Sequence, residues 1–231
     1  MTNWDRVERF FGEDALQHLQ HQKVGVIGLG SGGGYVAVAL AMTGVQQFVL
    51  IDDDTLDEAN IVRHIADRRF IGQPKVDAVK TLILDRNPAA SVETHIMKFT
   101  PDGDLIAGLD LLVVGVDTEA AKFGINDACL DYQQTAVYAG VYERGEGGDV
   151  AVIRPLDGPC YACWAEALRD GYVPPGPTGD SKPLDYGQVR EDGSIAAEPG
   201  LWLDVVRVAN TQANVALNVL LQNTTAVRDL P

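Results

Sequence analysis

The feature that most narrows what this chain can become is the run Gly28-Leu29-Gly30-Ser31-Gly32-Gly33, which fits G-x-G-x-x-G. It lies between a short apolar strand, Val24–Gly28, and a helical segment, Gly33–Met42, with Gly44 where a C-terminal cap belongs. Glycines at such a junction permit a tight turn and let backbone N–H groups approach an anion at the start of a helix. A second apolar strand, Gln47–Asp52, follows, and Asp52 stands 19 residues after Gly33. A carboxylate at that place can accept both hydroxyls of a ribose. Gly28, Gly30, Gly33 and Asp52 are therefore expected to touch a nucleotide. A glycine turn without a ligand is the competing reading, and the order strand–turn–helix–strand–Asp disfavours it. These residues alone do not say which nucleotide, and NAD is the default.

The alternation continues along the chain. Asp5–Gln20 reads as an amphipathic helix or helix pair. Pro74 opens a helix that carries Val76, Val79, Leu82 and Ile83 on one face and ends at Asn87-Pro88. Ser91–Met97 alternates as a strand does, and Leu111–Val116 is a solid apolar run bounded by Asp110 and Asp117, as a central parallel strand should be. Residues 118–132 read as a helix, Ala136–Val141 and Gly148–Ile153 as two strands. Leu201–Leu221 reads as a closing helix with Leu203, Val206, Val208, Val215 and Val219 among its apolar positions. The fold class predicted is α/β: a Rossmann-like domain over 1–231, with a mostly parallel central sheet continuing into antiparallel strands and helices on both faces. Residues 171–200 are rich in Pro and Gly and are expected to form a long, flexible surface loop.

Composition removes several function classes. Acidic residues number 33 against 18 basic ones, a formal net charge of −15. Such a surface repels a phosphate backbone, so nucleic acid is not expected as the main partner, and a basic or neutral protein is easier to accommodate. Val24–Ile51 contains no charged residue, but its six glycines between Gly25 and Gly34 split it into strand, turn, helix and strand. It reads as the buried heart of the domain rather than a membrane span. The N-terminus is charged and lacks an apolar leader. The cysteines, Cys129, Cys160 and Cys163, are too few and odd in number for a disulfide framework, which suits a reducing cytoplasm.

Three further polar residues lie on connections leaving the second strand: Asn60, Arg63 and Lys75. By residue type alone they read as solvated surface. If they converge on the glycine loop, they provide the extra positive charge that a triphosphate needs and a dinucleotide does not. Asp117 ends the third apolar strand and so shares the carboxyl edge of the sheet with Asp52. It suits either Mg²⁺ held by few protein ligands or the N-cap of the helix over 118–132.

The succession GLGSGG, IDDD, N-I-V-R-H, G-Q-P-K-V, V-G-V-D and G-P-C-Y-A-C resembles the ThiF/MoeB/HesA family, which activates ubiquitin-like proteins and sulfur carriers. The likeness runs from about residue 5 to 165. It implies that Asp52 holds the ribose, that Asp54 belongs to the same nucleotide-binding stretch, that Asn60, Arg63 and Lys75 contact phosphates, and that Asp117 positions Mg²⁺. It also implies a homodimer in which Arg9, or failing that Arg6, reaches into the neighbouring subunit's site. The reaction implied is adenylation of the C-terminal carboxylate of a small protein ending in Gly, with ATP as substrate and pyrophosphate released. Cys160 and Cys163 match half of the family's zinc site. No cysteine follows Cys163, so an intrachain zinc is not expected, and the pair reads as a remnant, a reduced pair near the core or a redox pair. Cys129 reads as helix packing. The alternatives are an NAD-dependent oxidoreductase, a non-catalytic partner subunit that binds a ubiquitin-like protein, and a relative acting on tRNA.

Overall fold

The computed structural model describes residues 4–101, 104–142, 145–168 and 201–227. The 171–200 segment, expected as a flexible loop, lies outside the described residues. Six strands, β1 (Lys23–Ile27), β2 (Gln47–Ile51), β3 (Ser91–His95), β4 (Leu111–Val114), β5 (Ala136–Val141) and β6 (Gly148–Ile153), form one sheet in the order β3-β2-β1-β4-β5-β6. All neighbouring pairs are parallel except β5–β6, which is an antiparallel hairpin. The strand order turns about β1: β2 and β3 build outward on one side, and β4 to β6 on the other. A crevice must open where neighbouring crossovers part, between the carboxyl ends of β1 and β4.

The inner strands β1, β2 and β4 are apolar on both sides because helices cover both sides, while the edge strands β3 and β6 carry Glu93 and Asp149. Val24, Val26, Phe48, Leu50, Leu111 and Val113 face one core, shared with α2 (Glu13–His21), α3 (Ser31–Met42), α4 (Lys75–Arg86) and α7 (Trp202–Leu220). Ile27, Val49, Ile51, Leu112 and Val114 face the other, under α5 (Glu119–Asp131) and α6 (Tyr161–Leu168). The N-terminal segment is a helix pair, α1 (Asp5–Phe11) and α2, broken at Gly12, whose φ of 88° a glycine adopts without strain. In α4 the expected face is buried: Val76, Val79, Leu82 and Ile83. Cys129 is fully buried in α5, as its helix setting suggested, and burial pushes its thiol up to about 12.

Two details of the helices are decided by the fold. Leu203 does not belong to the buried face of α7: it is 75% exposed, and the buried face is built from Val208, Ala209, Gln212, Ala213, Ala216, Leu217, Val219 and Leu220. Small residues let α7 lie close against α3, where Gly32 faces Ala209. Asp117 is not a helix cap. Thr118 takes that position, its Oγ1 accepting from the Ala121 N–H at 3.4 Å. No helix of the described residues is long and apolar enough to cross a membrane.

Candidate functional site

A cavity of about 980 Å³ opens at the carboxyl edge of the sheet. Its walls include the glycine loop, Asp52, Asp54, Asn60, Arg63, Lys75 and Asp117, so the expected residues are brought together. Arg9 does not line it. That side chain lies on the exposed face of α1, paired with Asp5 at 3.0 Å.

The three motif glycines do different work. Gly28 has φ +84°, and a Cβ there would stand 2.7 Å from the Gly115 and Val116 backbone. A Cβ on Gly33 would collide with the Gly28 carbonyl. These two let β1, β4 and the start of α3 close together. Gly30 has open space around it and lines the cavity, so its backbone is open to close approach. The helix that follows begins without a side-chain cap and without an acidic residue in its first turn. Its first amides therefore remain available to an anion.

Asp52 is fixed from two sides. Its Oδ2 accepts from the Leu29 N–H at 2.5 Å and its Oδ1 from the Asp54 N–H at 2.8 Å. Burial raises its pKa above the ordinary carboxylate value; the two amides and Lys75 oppose that rise, and Asp54 adds to it. Lys75 is the first residue of α4, a poor place for a cation because the helix dipole is positive there. It is nonetheless buried, with Asp54 Oδ2 2.5 Å from its Nζ. A buried cation at a helix start is a structural cost that a bound phosphate would offset. Asn60 is oriented by a reciprocal turn: its N–H donates to Asp57 Oδ1 at 2.9 Å, and its Oδ1 accepts from the Asp57 N–H at 3.1 Å. Its amide NH₂ takes no part in that turn, and Asn60 lines the cavity. Arg63 is exposed at the cavity wall.

Among the described residues, Asp52, Asp53 and Asp54 form one carboxylate cluster close enough to share a cation. Asp52 is already committed to two amides and Asp54 to Lys75. Asp117 is exposed on the opposite wall, and no shared ion pair or hydrogen bond ties it down among the described residues. An oxygen ligand with a free hydration sphere is the chemistry Mg²⁺ requires.

Three residues of the site were not singled out in the sequence. His64 is buried behind the glycine loop, its Nε2 2.7 Å from the Leu29 carbonyl. Gln212 of α7 donates from Nε2 to the carbonyls of Val114 and Val137, 3.0 Å each, and so closes the floor between β4 and β5. Lys122, 3% exposed, lies 3.4 Å from Glu119 Oε1, which the Tyr161 hydroxyl also reaches at 3.3 Å. Only His64 had a signal, as the residue after Arg63; Gln212 is defined by contacts 98 and 75 residues away, and Lys122, paired with Glu119 three residues before it, by the packing of that pair against Tyr161.

Cys160 and Cys163 flank the start of α6, with Sγ atoms 3.7 Å apart. They supply two thiol donors, where a tetrahedral zinc takes four ligands. Partial burial raises the Cys160 thiol, but hydrogen bonding with Cys163, Ala162 and Asn126 outweighs it and leaves it below the ordinary value.

A model of the ThiF family matches residues 5–227. Ubiquitin-like modifier-activating enzyme 5 of Caenorhabditis elegans is 27% identical over 203 residues, covering 82% of this chain and 46% of that protein. The tRNA threonylcarbamoyladenosine dehydratase of Bacillus subtilis is 34% identical over 134 residues, covering 56% of this chain and 53% of that protein. Among solved structures, E. coli MccB with AMPCPP and MccA superposes with a TM-score of 0.71 at 20% identity, covering 91% of this chain and 59% of that one. That likeness shows a shared fold. The chain spans less than half the length of the ubiquitin-like modifier-activating enzymes it matches.

Proposed function

The chain belongs to the ThiF family, and from that premise we propose that it transfers the adenylyl group of ATP to a carboxylate, the C-terminal carboxylate of a ubiquitin-like or sulfur-carrier protein that ends in Gly. The observation that carries this reading is the convergence, on one cavity, of an uncapped helix start at Gly30–Ser31, the buried Lys75, the exposed Arg63 and the carboxylates of Asp52 and Asp117. That set matches a ribose followed by a polyphosphate. The relatives' names support the substrate class, and the MccB complex with AMPCPP supports the nucleotide.

A carboxylate is ionised at neutral pH and needs no general base to attack phosphorus. The site's task is then alignment and charge neutralisation. The Asp52 carboxylate receives the ribose hydroxyls. The amides of the glycine loop and the side chains of Asn60, Arg63 and Lys75 hold the phosphates. The bond between the acceptor oxygen and the α-phosphorus forms as the bond to pyrophosphate breaks, giving an acyl-adenylate. Lys75 exchanges Asp54 for phosphate oxygens as the nucleotide enters. Asp117 would hold Mg²⁺, which supplies charge neutralisation for the leaving pyrophosphate. Arg9 lies outside the chain's own cavity, so its proposed contribution is made in a homodimer, to the partner subunit's site.

A second reading keeps the chemistry and changes the acceptor: the Bacillus subtilis relative is named for a modified nucleoside of tRNA. The net charge of −15 opposes docking of so large a polyanion.

The test is ATP–pyrophosphate exchange with Mg²⁺ and a panel of small proteins ending in Gly-Gly. Exchange that depends on one such protein and falls in Asp117→Ala by on the order of a hundredfold or more, several kcal/mol of lost charge stabilisation, is the expected result. Tight NAD binding with no exchange for any acceptor would overturn the proposal.

A further inference from the structure

His64 follows Arg63 directly, yet its ring turns away from solvent and is 8% exposed. Both ring nitrogens are engaged. Nε2 lies 2.7 Å from the Leu29 carbonyl, which can only accept, so Nε2 carries the proton. Nδ1 lies 3.0 Å from the Ala66 amide nitrogen, which can only donate, so Nδ1 is unprotonated. The ring is thereby locked as the neutral Nε2–H tautomer. Leu29 is the second residue of the glycine run, and its own N–H is already bonded to Asp52 at 2.5 Å. Its two peptide groups are therefore set from opposite directions, one by Asp52 and one by His64.

A trans peptide is planar, and its N–H points opposite to its C=O. Turning the Leu29 carbonyl toward His64 turns the Gly30 N–H the other way. Gly30 borders the cavity, has open space around it, and its N–H meets no acceptor among the described residues. We propose that His64 is a positioning residue for the phosphate loop: its ring sets the plane of the Leu29–Gly30 peptide, aims the Gly30 amide at the nucleotide phosphates, and couples that loop to the turn carrying Arg63. This rests on the reading of the cavity as a nucleotide site. It goes further in giving His64, a buried residue at the cavity wall, a role exerted through the peptide it orients.

The groups facing the ring favour the neutral form. Burial lowers the His64 pKa from its ordinary value and Lys75 lowers it further, against the Leu29 carbonyl and the Asp52 carboxylate, which raise it. The sign follows: a depressed folded-state pKa means the hold is present above about pH 6.5, the ordinary histidine value, and is lost as pH falls below it through the folded-state value. Protonation would set an Nδ1–H against the Ala66 N–H.

Glutamine can replace both bonds, with its NH₂ donating to Leu29 and its Oε1 accepting from Ala66; leucine can replace neither. The experiment measures Mg·ATP binding by calorimetry for wild type, His64→Gln and His64→Leu, from pH 7.5 down to 5.5 (assay settings of about one pH unit either side of the histidine value). At the upper pH, His64→Leu should bind about tenfold more weakly, the effect of one buried bond lost, and His64→Gln should recover most of that. On acidification, wild type should lose affinity relative to His64→Gln; that ratio cancels protonation of ATP itself. Nitrogen NMR of wild type, which needs no variant to fold, should report the Nε2–H tautomer. Equal affinity for all three proteins, or an Nδ1–H tautomer, would each overturn the inference. Wild type that binds no ATP at any pH would instead overturn the nucleotide reading beneath it.

Discussion

Two helices begin at the rim of the same cavity, and only one of them is built to receive an anion. Helix α3 starts at Ser31 with no side-chain cap and no acidic residue in its first turn. Helix α5 starts at Glu119 with Thr118 bonded back to the Ala121 amide and an acidic side chain at its first position. Their backbones offer the same orphan N–H groups. In α5 the Thr118 side chain takes one of them and an acidic side chain sits beside the rest, and in α3 the chain places neither. A helix start becomes a phosphate site through what the sequence leaves out as much as through what it places there.

That contrast is broken most severely at Gly33. Gly33→Ala puts a Cβ into the Gly28 carbonyl, which cannot move without reopening the contact between β1 and β4. We expect a loss of about 3 kcal/mol in thermal or denaturant unfolding, together with loss of ATP binding. Gly30→Ala is the control: its Cβ meets open space, so the fold should hold while nucleotide affinity falls. If both variants lose only binding, the division of labour among the glycines is wrong.

Lys75→Met sharpens the comparison with a smaller effect. It removes a buried cation from the positive end of α4 and leaves an exposed Asp54 to water. Calorimetry should show ATP binding weakened by roughly 1.5–3 kcal/mol, the worth of a charged hydrogen bond, while unfolding stability changes by less than about 1 kcal/mol. A large loss of stability would make Lys75 a structural residue. The smallest effect belongs to Thr118→Ala, which should cost about 1 kcal/mol of stability and leave ATP binding intact. Weakened ATP binding there would mean the α5 start also takes part in the site.

The sequence made one half of this comparison legible and hid part of the other. The α3 start could be read because glycines at fixed spacing have few other uses and Asp52 follows on the next strand. The inner strands β1, β2 and β4 were likewise readable from apolar runs, because the middle of a sheet covered on both faces tolerates no polar side; β3, which carries Glu93 and His95, was readable from its alternation instead. At the α5 start, Asp117 and Thr118 are adjacent and both are good caps; residue type could not choose between them. The backbone leaving β4 did, freeing Asp117 for the cavity. Leu203 is apolar yet exposed for a related reason: an apolar residue at a helix end is buried only if the helix is already against the core there. Gln212 was invisible because the β4 and β5 carbonyls it bridges are brought to it only by the finished fold, and Lys122 because its i,i+3 pair with Glu119 is buried only once Tyr161 packs against it.

Gln212 has a consequence for when this cavity comes into being. It bridges Val114 and Val137 from 98 and 75 residues away in the chain. A ribosome that has released all six strands has delivered the glycine loop, Asp52, Lys75 and Asp117, yet the floor between β4 and β5 still lacks its tie. Contacts of such long sequence separation form late. The growing chain can thus hold the glycine loop, Asp52, Lys75 and Asp117 before their cavity has its floor, and the nucleotide site proposed for them is complete only once α7 docks.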